Sequence, residues 1–231
     1  MQGTRNETPN ETPGQGAYTP TDRTVPTRSA ERASYDKEVV HAILDDGHLC
    51  HLGFVREGAP VVLPTLYARV GERLYVHGST GSRPLRTAGA ADPGLAVCVT
   101  VTHEDGLVLA RSAFHHSINY RSVVVHGIAR AVTDPAEKRT ALDAIVDQVV
   151  PGRSAECRPA NARELAATAV LRLDLAEVSA KTRTGGVNDE PEDLALPHWA
   201  GVVPVRKEHG TPLPDANLAP ATQLPRNIAS L

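Results

Sequence analysis

Apolar positions in the middle of the chain fall in short alternating runs, the period of strands with one buried face. His48 to Val55 is the first such run, turned at Arg56-Glu57-Gly58. Pro60 to Val70 follows, turned at Gly71-Glu72, and then Leu74 to His77. Leu95 to Thr102 is strongly β-branched; Glu104-Asp105-Gly106 reads as a turn into a further strand, Leu107 to Ser112. After a polar, His-rich segment at 113–119, a long strand is predicted from Tyr120 to Val132. Ala169 to Leu175 alternates again, and Val178 to Lys181 extends it after a kink. Helical spacing is rarer. Ser34 or Asp36 caps a helix carrying Val39, Val40, Ile43 and Leu44, stopped by Gly47. A second helix is predicted from about Arg83 to Ala90. Asp134-Pro135-Ala136-Glu137 then forms a capping box ahead of Leu142, Ile145, Val146 and Val149, and Pro151-Gly152 ends that helix. A shorter helix spans about Ala162 to Thr168. Tightly linked strands without βαβ alternation predict a mainly β fold with flanking helices, closed as a small barrel.

Composition divides the chain. Residues 1–28 are rich in Thr, Pro, Gly, Asn and Glu and read as a disordered tail. Residues 29–184 carry the periodic segments and form the domain. Residues 185–231 are Pro- and Gly-rich and read as a tail packed on the barrel or on a dimer partner, with Trp199 as its only large anchor. The hydrophobic fraction of 41% supplies a real core. A net charge of −3 gives no basic field for nucleic acid. No apolar run has membrane-spanning length, and the N-terminus carries no apolar signal core. The three cysteines, Cys50, Cys98 and Cys157, form no C-x-x-C pair, which speaks against a disulfide framework or a metal site and suits a cytoplasmic protein.

Candidate chemistry concentrates between Arg69 and Arg86. A short strand ending in His77 leads into Gly78-Ser79-Thr80-Gly81-Ser82, small residues with accessible amides and hydroxyls, and then into Arg83 at a helix start. A phosphate needs this combination of close backbone N–H groups, hydroxyl donors and a fixed cation; a polar turn with a solvated arginine has the same composition. His115 and His116 would point to opposite faces of a regular strand, so together they ligate one metal only from a loop; a turn built with Ser117 and Asn119 accounts for them equally. Arg121 suits a phosphate or an ordinary carboxylate. Trp199 reads as an anchor pinning the tail, or else as a lid over a ring. No triad or carboxylate pair is apparent.

The order of helix, hairpin strands, Gly58-Ala59-Pro60 turn, strand, Leu74-Tyr75-Val76-His77, Gly81-Ser82-Arg83 and helix resembles the FMN-binding split β-barrels, from about Ser29 to Lys181. Within them the chain is similar to the pyridoxamine 5′-phosphate oxidase-related, flavin-nucleotide-binding proteins that include the nitroimidazole-resistance reductases. The resemblance implies that Leu63, Pro64, Thr65 and Leu66 run along a flavin ring. It implies that His77, Gly78 and Ser79 touch the ribityl chain and phosphate, and that Gly81, Ser82 and Arg83 hold the phosphate. Tyr120, Arg121 and Ser122 then reach the flavin across a homodimer. Pro84 stands where the oxidase has a lysine, Ser122 where it has a glutamine, and its substrate-binding Trp-Arg-His ending is missing, so vitamin B6 oxidation is not expected. What the resemblance implies is an FMN-dependent oxidoreductase acting on a small molecule. Its alternatives are a haem-binding or haem-degrading split barrel with His77, His115 or His116 as axial ligand, and a non-catalytic flavin-binding protein. No other metal is expected.

Overall fold

The computed structural model describes residues 16–81 and 94–231. Its strands are β1 (Ala33–Ser34), β2 (Leu49–Arg56), β3 (Ala59–Val70), β4 (Arg73–Ser79), β5 (Leu95–Leu109), β6 (Ser117–Ala131), β7 (Thr168–Asp174), β8 (Glu177–Arg183) and β9 (Gly201–Pro204). The helices among the described residues are α1 (Lys37–Asp45), α2 (Pro135–Val149), α3 (Ala162–Ala167) and the short α4 (Arg226–Ala229). The helix expected over 83–90 lies outside the described residues.

The sheet runs β1-β8-β6-β7-β4-β3-β2-β5-β9, and a further β5–β6 pairing closes its middle into a ring. β2 and β3 turn through Glu57 and Gly58, both at positive φ, as a two-residue hairpin requires. Alternate positions point inward: Cys50, Leu52 and Phe54 on β2, Val97, Val99 and Val101 on β5, Val123 and Val125 on β6, Val178 and Ala180 on β8. α1 closes one end with Val40, Ile43 and Leu44; Asp36, not Ser34, caps it by accepting from the Val39 amide. α2 is capped by Asp134 and packs Ala141 and Ile145 against Ala68, Tyr75 and Val170 in a second apolar cluster.

Two expectations are corrected and one is borne out. Residues 95–112 do not form two strands with a turn at Glu104-Asp105-Gly106. β5 runs through, and its partner in register changes from Glu104↔Tyr120 to Gly106↔Asn119, a bulge at Asp105. The backbone stays extended because β6 pairs with it on both sides of the irregularity. Val178–Lys181 does extend the preceding strand after a kink: β7 pairs with the end of β6 at Arg130↔Arg172 and Ala131↔Leu171, and past Leu175-Ala176 β8 runs on along β6 from His126↔Glu177. The tail assigned to residues 1–28 ends earlier, since Tyr18 is 4% exposed in the main core and its hydroxyl donates to Glu72 at 2.9 Å. One aromatic ring with a satisfied hydroxyl is enough to pin a segment that composition alone reads as unfolded.

Candidate functional site

β3 and β4 begin as an ordinary antiparallel pair, Val70↔Arg73 to Tyr67↔Val76, and then part. Beyond that point β4 continues through His77, Gly78 and Ser79 on β7, opposite Val170, Ala169 and Thr168. β3 continues through Leu66, Thr65, Pro64 and Leu63 on β2 alone, opposite Leu49, Cys50, His51 and Leu52. Among the described residues this fork leaves two strand edges facing each other without ladder partners. Their N–H and C=O groups are free to meet a planar ligand that carries its own donors and acceptors.

A cavity of about 610 Å³ opens at the fork, with Leu66 from one edge and His77 from the other. Its opposite wall is the apolar face of α2: Leu142, Ile145, Val146 and Val149. That face is wider than its contact with the barrel demands, and Val146 and Val149 remain exposed. The segment between α2 and α3 adds a polar rim of Arg153, Ser154, Cys157 and Arg158. Asp147 fixes the rim by accepting from the Ser154 amide at 2.7 Å and its hydroxyl at 2.8 Å.

His77 is the distinctive group in this cavity. Its Nδ1 is buried and has no hydrogen-bond partner among the described residues. Burial holds its pKa below the ordinary 6.5, so the imidazole is neutral at neutral pH. An orphaned imidazole nitrogen in an apolar cavity is the donor set that suits a haem iron, and two nearby guanidinium groups suit the carboxylates of such a macrocycle. Facing strand edges beside it suit the polar rim of an isoalloxazine ring. The residues present therefore fit both groups. The volume falls within the roughly 300–1,000 Å³ usual for cofactor pockets.

Of the residues singled out in the sequence, the structure brings Leu63, Pro64, Thr65, Leu66, His77, Gly78 and Ser79 to the two edges of the fork. Gly81 follows, with its amide donating to Ser79 Oγ at 3.1 Å. Ser82 and Arg83 lie outside the described residues. Tyr120, Arg121 and Ser122 lie elsewhere in the same chain. Arg121 lines a second, polar cleft of about 620 Å³ with His48, His51 and His103. Its guanidinium donates to Asp105 at 2.9 and 3.0 Å and to Asp46 at 2.9 Å, and these carboxylates raise its pKa further. Tyr120 and Ser122 alternate with it and so point to the other face of β6.

The remaining candidates stand apart from both cavities. Residues 113–115 form a short 3-10 helix. His116 Nδ1 lies 3.1 Å from the Ser112 carbonyl, and His115 Nε2 lies 3.5 Å from Glu190. Trp199 is 66% exposed, with its indole lying against Gly201 at the start of β9. In the sequence the apolar positions of α2 read only as a helical packing face. Their surplus width was the available signal that something besides the barrel covers them.

The family model described as pyridoxamine 5′-phosphate oxidase matches residues 36–182. Among solved structures, the flavocytochrome Anf3 from Azotobacter vinelandii is 41% identical, with a TM-score of 0.85 over 92% of this chain and 98% of that one. The FAD- and haem-binding protein from Mycobacterium smegmatis is 39% identical, with a TM-score of 0.81 over 86% of this chain and 96% of that one. A protein assigned to 5-nitroimidazole antibiotic resistance from Bacteroides thetaiotaomicron shares the fold at 21% identity, with a TM-score of 0.53 over 64% of this chain and 85% of that one. No curated protein matches the chain.

Proposed function

The chain belongs to the pyridoxamine 5′-phosphate oxidase family of split barrels, and from that premise we propose that it is a flavin- and haem-binding oxidoreductase. The observation that carries this reading is His77, a neutral imidazole with a buried nitrogen that no described residue partners, standing at the fork in an apolar cavity. The two relatives near 40% identity support holding both cofactors together, one being a flavocytochrome and the other a binder of FAD and haem. Haem is thus a companion of the flavin in this reading rather than its alternative. A flavin exchanges electrons with two-electron donors, and a haem iron takes or gives one electron at a time.

The protein's part is binding and orientation. The edges Leu63–Leu66 and His77–Ser79 hold the flavin, as FMN or FAD, with Gly81, Ser82 and Arg83 on its phosphate. His77 ligates the haem, α2 covers its apolar surface, and Arg153 and Arg158 face its carboxylates. No C-x-x-C-H run exists, so the haem is held without thioether bonds. His115 and His116, tied to surface groups away from the cavity, are not its ligands in this reading. The chain acts as a homodimer, in which Tyr120, Arg121 and Ser122 approach the partner's flavin. No helix among the described residues is long and apolar enough to cross a membrane.

The visible spectrum of the purified protein tests this directly. Two flavin bands and a Soret band are expected, with mass spectrometry identifying what denaturation releases; neither chromophore after supplementation with both would refute the reading. Arg83→Ala should weaken FMN or FAD about ten- to a hundredfold, the cost of a lost charge-assisted hydrogen bond of roughly 1.5–3 kcal/mol. Riboflavin, without a phosphate, should bind as before. Equal losses for all three would remove the phosphate role.

A further inference from the structure

An α-helix leaves its last carbonyls without intrahelical partners. At the end of α1 those carbonyls are met by side chains from three other elements. His103 Nε2 of β5 lies 2.9 Å from the Ile43 carbonyl, and Tyr67 of β3 donates its hydroxyl to Leu44 at 2.5 Å. The third side chain is Gln148 of α2. Its carboxamide nitrogen donates to the carbonyls of Gly47 at 2.6 Å, Leu44 at 3.1 Å and Asp45 at 3.2 Å. The approach is close: a Cβ on Gly47 would come within 2.9 Å of the His103 ring and 3.0 Å of the Tyr67 hydroxyl. Gln148 follows Ile145 by about one turn and so lies on the same side of α2. The helix needs such a tether. Ala141 and Ile145 alone are buried on it, while Val146 and Val149 stay exposed, so packing holds its last turns weakly. The first turn is fastened separately by Glu137, which accepts from Tyr75 at 2.8 Å and from Arg172 at 3.2 Å. Leu142, Ile145, Val146 and Val149, the wall of the fork cavity, belong to the stretch that Gln148 controls.

We infer that Gln148 is a positioning residue for the cofactor cavity: by fastening the end of α2 to the end of α1, it sets how far the apolar wall stands from the fork and hence how the macrocycle seats on His77. The inference rests on the haem reading above and adds a residue that is not part of the cavity lining. The sign of the group matters as much as its size. The carbonyl end of α1 carries the negative end of the helix dipole, so it takes a neutral or cationic donor and rejects a carboxylate. Glutamate at 148 has nearly the shape of glutamine but presents oxygens to three carbonyls. Lysine is longer and presents N–H groups to all of them. A tether therefore survives lysine and fails with glutamate or leucine. A role confined to filling space would tolerate glutamate and leucine better than lysine.

The test titrates haem into the full-length, cofactor-free protein and separately follows its amide hydrogen exchange over residues 142–150. The unaltered protein should give one sharp Soret band. Gln148→Glu and Gln148→Leu should broaden and shift that band and raise exchange of the cofactor-free protein several-fold. They should also speed haem loss by about tenfold, or about 1.4 kcal/mol, the order of one net hydrogen bond. Gln148→Lys should restore the band, the rate and the exchange. Arg69→Ala is the control. Arg69 clamps Asp45 at the same end of α1 with bonds of 2.7 and 2.5 Å and has no hydrogen bond to α2, so its loss should lower Tm and leave the Soret band and α2 exchange unchanged. Where Gln148→Glu fails to fold by circular dichroism, Gln148→Leu against Gln148→Lys carries the comparison. A Soret band and exchange untouched by Gln148→Leu overturn the inference. So does Arg69→Ala protein that loses haem as fast, since α2 then follows general stability alone. A protein that takes up no haem, with α2 exchange raised in Gln148→Leu and restored in Gln148→Lys, refutes the haem reading and leaves Gln148 as the tether of the wall.

Discussion

Replacing His77 by leucine should make the cofactor-free protein more stable while removing its haem. Among the described residues the buried Nδ1 has no partner, and such a group costs about 1–3 kcal/mol in desolvation. Leucine removes that cost and adds apolar contact with Leu66 and the α2 face, against a shape mismatch of up to about 1.5 kcal/mol. The net expectation is a gain of roughly 1 kcal/mol, which for a chain of this size raises Tm by about 2–4 °C. The variant should also respond less to acid. Because burial depresses the folded-state pKa of His77 below 6.5, the unfolded chain binds a proton that the folded chain refuses as pH falls below 6.5. Stability is therefore lost on the acid side of that value, and His77→Leu should remove the His77 share of the loss. The assays are thermal melting of cofactor-free protein from pH 5 to 8 and haem titration followed at the Soret band. A fall of several degrees in Tm would mean that Nδ1 is satisfied in the free chain. An unchanged Soret titration would refute His77 as the ligand, whatever the melting shows.

Two further outcomes follow from packing and exposure. Tyr18→Ala, or removal of the first 25 residues, should cost about 3–5 kcal/mol in chemical denaturation, because a buried aromatic is lost together with its hydrogen bond to Glu72; an unchanged midpoint would mean that the segment contributes nothing. Alkylation of the native protein should label exposed Cys157 and spare Cys50, whose thiol burial pushes up to about 12, and added haem should slow labelling of Cys157 at the cavity rim; rapid labelling of Cys50, or Cys157 labelling indifferent to haem, would contradict this.

The chain itself carries most of the barrel. Alternation at Cys50, Leu52 and Phe54, at Val97, Val99 and Val101, and at Val123 and Val125 is a local property, because the pleat sends every second side chain inward whatever the partner strand. Asp134 and Pro135 fix the start of α2 for equally local reasons, a side-chain acceptor for a free amide and a preset φ. The order of helix, hairpin strands, Gly58-Ala59-Pro60 turn, Leu74–His77 strand and Gly81-Ser82-Arg83 indicated the family together. Pairing decided the rest. Glu104-Asp105-Gly106 has the composition of a turn, but β6 on one side and β2 then β9 on the other hold it extended as a bulge. β9 and Trp199 sit in a sequence that reads as tail, since four residues acquire a strand's stability only from the neighbour that completes their hydrogen bonds. Nothing local marks where β3 and β4 cease to pair. That fork exists because β4 follows β7 while β3 follows β2, and the cavity lies in the divergence. Whether the α2 face and His77 look into a core or into a cofactor site is a property of two elements some 65 residues apart, so it is set by their docking and not by either sequence.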